Sequence, residues 1–118
     1  MEFKVLAVGD VVGTPGLERI RRSLRYLKRR TRADFVVVNG ENAAVVGITP
    51  SQAEEILDAG ADVITMGNHT WGKREIVDYM DDCYQIIRPA NYAPQVPGRG
   101  WQIFDTKAGD VAVIDLIG

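Results

Sequence analysis

The stretch "FVVVNGEN", residues 35–42, decides the fold of this chain. Its first five residues are almost continuously apolar and rich in β-branched side chains, which is typical of a parallel strand covered on both faces. A glycine, a carboxylate and a carboxamide follow directly. Two further runs, "FKVLAV" (3–8) and "DVITM" (62–66), have the same character. The three runs predict neighbouring strands of one parallel sheet.

Helical patterns separate these runs. A first helix is predicted near 15–31, with Thr14 as its N-cap and apolar residues at every third or fourth position. A second is predicted near 50–59, capped by Thr49, and a third near 72–82. Strand and helix therefore alternate in units of about thirty residues, which is the spacing typical of βαβ units.

The last third of the chain predicts more strand than helix. "YQII" (84–87) is predicted as a fourth strand, and a loop rich in proline and glycine follows over 88–100. Two strand-like runs, "WQIFDT" (101–106) and "VAVIDLIG" (111–118), flank a turn. The chain ends on an apolar strand with no closing helix, a pattern that predicts one part of a larger α/β domain and makes self-association into a homo-oligomer plausible.

Composition narrows the class of protein. The chain has 118 residues, of which 46% are hydrophobic and 25% charged, the balance of an ordinary globular domain. No apolar run approaches the ~20 residues that span a bilayer, so no membrane contact is expected. Cys83 is the only cysteine and the N-terminus has no basic leader, so we expect a reducing, cytoplasmic setting.

Polar side chains follow each of the three apolar strands. In an open parallel sheet the carboxyl ends of the strands share one edge, and ligands bind in the crevice there. We therefore expect five residues to converge at that edge: Asp10, Glu41, Asn42, Asn68 and His69. Carboxylates, carboxamides and an imidazole suit divalent manganese, iron or zinc, and a pair of such ions can serve phosphoryl transfer.

Two other interpretations of the first strand end fit less well. The glycines of "GDVVGTPG" (9–16) do not have the G-x-G-x-x-G spacing of a dinucleotide site, and Asp10 would point a carboxylate at the pyrophosphate. Asp10 could instead be a phosphorylated nucleophile of the haloacid-dehalogenase type, but that class has a second aspartate where this chain has Val12.

The motifs "GDVVGTPG", "NGENAA", "GNHTWGKREI" and "RPANY", in this order, resemble the YmdB-like family of calcineurin-type metallophosphoesterases along nearly the whole chain. The resemblance implies an αββα sandwich, of which residues 1–118 would be the N-terminal βαβαβ portion with a largely parallel sheet and the C-terminal half would be absent. It also implies a hydrolase with a dinuclear centre of iron, manganese or zinc that acts on phosphodiesters such as 2′,3′-cyclic nucleotides.

Roles for particular residues follow from the same resemblance. Metal ligation is implied for Asp10, Glu41, Asn42 and Asn68, with Glu41 shared between the ions, and His69 matches the histidine that protonates the leaving oxygen. No residue is implied to bind an organic cofactor. The wider metallophosphoesterases begin with Asp-x-His, where this chain has Val12, and "NGEN" replaces their second motif; both changes fit the YmdB-like branch.

Family members supply further histidine ligands downstream, whereas His69 is the only histidine here. One alternative is therefore a catalytically silent fragment, and we expect the 118-residue chain alone to be inactive. Another alternative is an RNA-binding or regulatory module. Eight of the fourteen basic residues lie between Arg19 and Arg32, where a solvated outer face competes with an RNA-contacting one.

Overall fold

A computed structural model describes residues 2–118, and within them the chain alternates strands and helices before it ends in a hairpin. The elements, in chain order, are β1 (Val5–Val8), α1 (Gly13–Thr31), β2 (Phe35–Asn39), α2 (Pro50–Asp58), β3 (Val63–Thr65), α3 (Ile76–Asp82), β4 (Ile86–Ile87), β5 (Trp101–Thr106) and β6 (Gly109–Ile114).

The first four strands form one parallel sheet in the order β1-β2-β3-β4. The prediction that the runs at 3–8, 35–39 and 62–66 form adjacent parallel strands is confirmed. Val8 pairs with Val38, and Val38 pairs with Ile64, so the three strands reach the same level at their carboxyl ends.

The two faces of the sheet are covered differently. Val36, Val38 and Ile64 face a layer in which the buried residues of α1, α2 and α3 form one large core. Phe35 faces the opposite way and meets Phe104 of β5 edge-on, with ring centroids 5.3 Å apart. Three helices therefore cover one face, while the antiparallel hairpin β5-β6 covers part of the other.

β1 is covered less than the sequence predicts. Its residues alternate between exposed and half-buried, and Val5 has 53% of its surface exposed. β1 forms one edge of the sheet, and the buried residues under the hairpin, Phe35, Val63 and Ile87, belong to the other three strands. β2 and β3 are buried or half-buried along their whole length, as their composition predicts.

Several predicted element ends are wrong by a few residues. α1 begins at Gly13 with Val12 as N-cap and no side-chain cap, so the assignment of Thr14 was wrong. The third helix begins only at Ile76, because residues 69–73 close a series of turns against the loop after β2. The fourth strand is confined to Ile86–Ile87, and the last strand ends at Ile114.

The start of α2 follows the prediction. Thr49 Oγ1 accepts a hydrogen bond from the backbone N–H of Gln52, and the Gln52 side chain accepts one from the backbone N–H of Thr49. Among residues 2–118, none of the helices combines the length and apolar character needed to cross a bilayer.

Candidate metal centre

The carboxyl ends of β1, β2 and β3 bring together four of the five residues that the sequence singled out. Asp10 follows β1 by two residues, and a φ of 27° bends the backbone there into a left-handed turn that aspartate tolerates. Glu41 and Asn42 follow β2 after one glycine, and His69 follows β3. The aligned strand ends thus place residues that are up to 59 positions apart on one edge.

Asp10, Asn42 and His69 form a hydrogen-bonded row. The side-chain amide of Asn42 donates from Nδ2 to Oδ1 of Asp10 at 2.8 Å. On its other side, Oδ1 of Asn42 lies 2.6 Å from Nδ1 of His69. A single carboxamide therefore links the loops that follow all three strands.

The hydrogen bonds of this row determine which nitrogen of the His69 ring carries a proton. A carboxylate only accepts hydrogen bonds, so the amide nitrogen of Asn42 must face Asp10 and its carbonyl oxygen must face His69. That oxygen also only accepts, which places a proton on Nδ1 of His69. Nε2 is then the ring nitrogen that is free of this row.

Glu41 lies under the same turn. Its carboxylate accepts a hydrogen bond from the backbone N–H of His69 at 3.2 Å and one from Nδ2 of Asn39 at 3.4 Å. The side chain of Glu41 is only 15% exposed, and its Oε2 is 3.8 Å from Nδ1 of His69. This carboxylate is therefore largely withdrawn from solvent and directed at the loop that carries Asn68 and His69.

Gly67 makes that approach sterically feasible. A Cβ atom at Gly67 would lie 2.1 Å from Oε1 of Glu41, far inside contact distance. The glycine before Asn68 is therefore required by the packing of Glu41 against the turn.

Asn68 is the exception among the five residues. It is exposed, and among residues 2–118 its side chain takes part in none of the hydrogen bonds that hold the site. Its position beside His69 nevertheless puts it at the same edge of the sheet.

Three side chains that the sequence did not single out hold the turn from Met66 to Thr70. Oδ2 of Asp115 accepts from the backbone N–H of Met66 at 2.8 Å. The hydroxyl of Tyr92 donates to the carbonyl of Gly67 at 3.1 Å, and Thr70 Oγ1 donates to the same oxygen at 2.6 Å. A charged residue inside the apolar run "VAVIDLIG" was the signal that could have identified Asp115.

The pKa of Asp115 reflects this position. Burial, aided by the nearby charge of Glu41, raises the pKa of its carboxyl from 3.8 to about 6, although hydrogen bonds from the backbone at Met66 and Leu116 oppose the shift. Burial thus disfavours the charged form of Asp115, whose carboxyl holds the start of the turn that carries His69.

The donor set at this edge fits part of a metal site. Carboxylates of Asp10 and Glu41 with amide oxygens of Asn42 and Asn68 are hard donors that suit divalent iron, manganese or zinc. Within the described part of the chain, no three His, Cys, Asp or Glu side chains are grouped so that they could hold an ion by themselves. The four residues therefore offer oxygen donors that would make up only part of a ligand set.

Comparison with known proteins gives consistent matches. The sequence profile of the YmdB-like protein family matches residues 6–118. A Bacillus subtilis (strain 168) protein named 2′,3′-cyclic-nucleotide 2′-phosphodiesterase is 41% identical over 117 residues, which are 98% of this chain and 44% of that protein.

Solved structures match as well. A crystal structure of a hypothetical protein from Thermus thermophilus has a TM-score of 0.86 at 31% identity. The match covers 97% of this chain and 44% of the Thermus chain. A crystal structure described as a novel phosphatase from Mycoplasma pneumoniae has a TM-score of 0.87 at 31% identity. The match covers 98% of this chain and 43% of the Mycoplasma chain. The chain spans less than half the length of the relatives it matches, and its mixed α/β architecture is the one found in that phosphatase.

Proposed function

This chain belongs to the YmdB-like protein family, and from that premise we propose that the complete protein is a hydrolase of phosphodiesters, 2′,3′-cyclic nucleotides among them. The observation that carries the proposal is the row of Asp10, Asn42 and His69 beside the withdrawn carboxylate of Glu41. It combines oxygen donors for divalent ions with an imidazole placed to move a proton.

We propose that two divalent ions of iron, manganese or zinc are held in part by Asp10, Glu41, Asn42 and Asn68. When bound, such ions would neutralise charge on the phosphoryl oxygens and make water a stronger nucleophile. Asn68 fits this assignment because its exposed amide has no hydrogen bond within the described residues that ligation would have to break.

His69 is proposed as the proton donor to the leaving oxygen. In the reaction a water molecule gives up one proton to the solvent as its oxygen forms a new bond to phosphorus. The bond from phosphorus to one ribose oxygen breaks, and that oxygen takes up a proton from His69. Nδ1 of His69 donates to Asn42, so Nε2 is the nitrogen that would deliver the proton. This step uses the imidazolium, which carries a proton on both nitrogens and becomes the neutral ring when Nε2 gives its proton to the leaving oxygen. The backbone hydrogen bond from His69 to Glu41 holds the residue in place while it does so.

Residues 1–118 are proposed to be the N-terminal portion of one metallophosphoesterase domain. Large apolar side chains on β1, on the hairpin and just after it support this, because they remain 48–69% exposed: Val5, Trp101, Ile103, Ile114 and Leu116. We propose that the remaining part of the domain covers them. If a second copy covered them instead, the complete protein would sediment as a dimer that dissociates when these residues are made polar.

We also propose a cytoplasmic location, since Cys83 is half-buried and unpaired, as expected in a reducing compartment.

The complete protein tests the proposed function with two variants. Glu41→Gln should lose both metal content, measured by mass spectrometry, and hydrolysis of 2′,3′-cyclic AMP, because it removes a charged ligand and nearly preserves shape. Thr106→Val, on the distant hairpin, is the control and should retain both. A wild-type protein that binds no divalent metal, or hydrolyses the cyclic nucleotide equally well after Glu41→Gln, would refute the proposal.

A further inference from the structure

One face of α1 carries a row of exposed arginines around an exposed tyrosine, here termed the arginine stripe: Arg19, Arg22, Tyr26, Arg29 and Arg30. Successive members are mostly three or four residues apart, so they share one side of the helix. The opposite side carries the buried residues Leu17, Ile20 and Leu24. Tyr26 has 54% of its surface exposed although an aromatic ring favours burial.

Other arginines of α1 have a different role. Arg21 lies 3.4 Å from the carboxylate of Glu55, and Arg25 donates to the backbone carbonyl of Asp58, so both connect α1 to α2. Within residues 2–118, the only ion pair that involves the stripe is between Arg22 and Glu18, at 3.5 Å. The stripe is therefore cationic surface that packing between helices does not use.

The charge of the chain is strongly segregated. Residues 19–32 hold eight of the fourteen basic residues and no acidic one, although the net charge is −2. Like charges three or four residues apart on a helix repel each other. A surface that served solubility alone would mix the two signs, whereas a bound polyanion would relieve the repulsion.

We infer that the arginine stripe binds the phosphate backbone of single-stranded RNA. Guanidinium groups pair with phosphate oxygens through two parallel hydrogen bonds, and an exposed tyrosine offers a surface on which a base can stack. From Arg19 to Arg30 the helix rises about 16 Å, enough to follow several phosphates of one strand.

One end of the arginine stripe lies on the side of α1 that is closer to the candidate metal centre. The helix begins at Gly13, three residues after Asp10. An RNA strand bound along the stripe would therefore have one end near the candidate metal centre. The choice of RNA over DNA rests on the proposed function, because a 2′,3′-cyclic phosphate requires the ribose 2′-hydroxyl. The binding of a polyanion does not rest on it.

The test uses the full chain and a fluorescent 12-nucleotide single-stranded RNA without a cyclic phosphate, with binding followed by anisotropy at several salt concentrations. The triple variant R19Q/R22Q/R29Q should bind at least about tenfold more weakly at low salt. Each phosphate contact on a single strand contributes about 0.7 to the slope of log K against log salt, so the slope should become shallower by about two. A charge-matched control, K4Q/R74Q/K107Q, should bind like the wild type.

Tyr26 separates stacking from charge. Tyr26→Ala should weaken RNA binding by about tenfold or more with an unchanged salt slope, and Tyr26→Phe should restore it. All the substituted side chains are exposed, so thermal unfolding should shift little. If the triple variant does not fold, the single charge reversal R22E provides the same comparison.

Equal RNA binding by the triple variant and the charge-matched control would overturn the inference. So would stripe-dependent binding to vesicles of anionic phospholipid without binding to RNA, which would assign this face to a membrane. Hydrolysis of cyclic mononucleotides should be unaffected by the stripe substitutions. A wild type that binds RNA but hydrolyses no phosphodiester would refute the proposed function and leave this inference standing.

Discussion

The side-chain oxygen of Asn42 lies 2.6 Å from Nδ1 of His69, while the amide nitrogen of the same side chain holds Asp10. This carboxamide accepts the proton on Nδ1 and leaves Nε2 as the nitrogen that would donate a second proton to a substrate. It therefore connects the proposed ligands to the proposed proton donor.

His69→Ala in the complete protein should retain bound metal and reduce kcat by roughly 10²–10⁴-fold, the usual contribution of a general acid. Glu41→Ala, in contrast, should abolish both metal content and hydrolysis. Metal content by mass spectrometry and turnover of 2′,3′-cyclic AMP distinguish the two. Loss of the metal in His69→Ala would identify the imidazole as a ligand rather than a proton donor.

Gly67→Ala should disturb the site because the added Cβ would lie 2.1 Å from Oε1 of Glu41. We expect a displaced Glu41, a large loss of metal affinity and a fall in hydrolysis of at least about tenfold. Gly9→Ala is a matched control directly after β1, where an added Cβ would meet nothing within 4 Å. Equal activity of the two variants would show that Glu41 does not depend on this close approach.

The convergence at the strand ends could be predicted from the sequence, because apolar runs such as "FVVVN" fix parallel strands and the polar residues follow them directly. The side chains that hold the turn from Met66 to Thr70 could not be predicted in this way. Asp115 is 49 residues from Met66 and Tyr92 is 25 from Gly67, and long-range pairs of this kind leave no periodic trace in the chain. The N-cap of α1 was misplaced because Thr14 has the preferred residue type while the loop from Asp10 already begins the helix at Gly13.

Asp115→Asn should change how stability depends on pH. The pKa of Asp115 is raised from 3.8 to about 6, so between these values the folded state binds more protons and the free energy of unfolding falls as pH rises. The asparagine retains an oxygen to accept from Met66 and carries no charge. The variant should match the wild type near pH 4 and be more stable above pH 6 by on the order of 1–3 kcal/mol. Urea unfolding at several pH values measures the difference; a difference independent of pH would contradict the raised pKa.

Asp34→Asn should show the opposite dependence. The backbone N–H of Lys4 donates to Oδ2 of Asp34, and the ammonium of Lys107 lies 3.2 Å from Oδ1; together they lower the pKa of Asp34 below 3.8. That carboxylate contributes stability above pH 3.8, and the contribution is lost as pH falls through its lowered pKa. The variant should therefore be less stable than the wild type at pH 7 and approach it in strong acid. The same urea series checks the sign, and a deficit that persists at the lowest pH would assign the effect to shape rather than charge.

Residues 1–118 alone should bind divalent metal weakly and hydrolyse phosphodiesters at near-background rates. The proposed ligands are Asp10, Glu41, Asn42 and Asn68, which would form only part of a ligand set. No three His, Cys, Asp or Glu side chains in residues 2–118 are grouped to hold an ion. Loss even of residues that only orient metal ligands costs about 10–100-fold in affinity, so missing ligands should cost more. The measurement is turnover of a chromogenic phosphodiester with added manganese, in parallel with the complete protein at equal concentration. Comparable rates would show that these four residues and His69 suffice for the chemistry without the remainder of the domain.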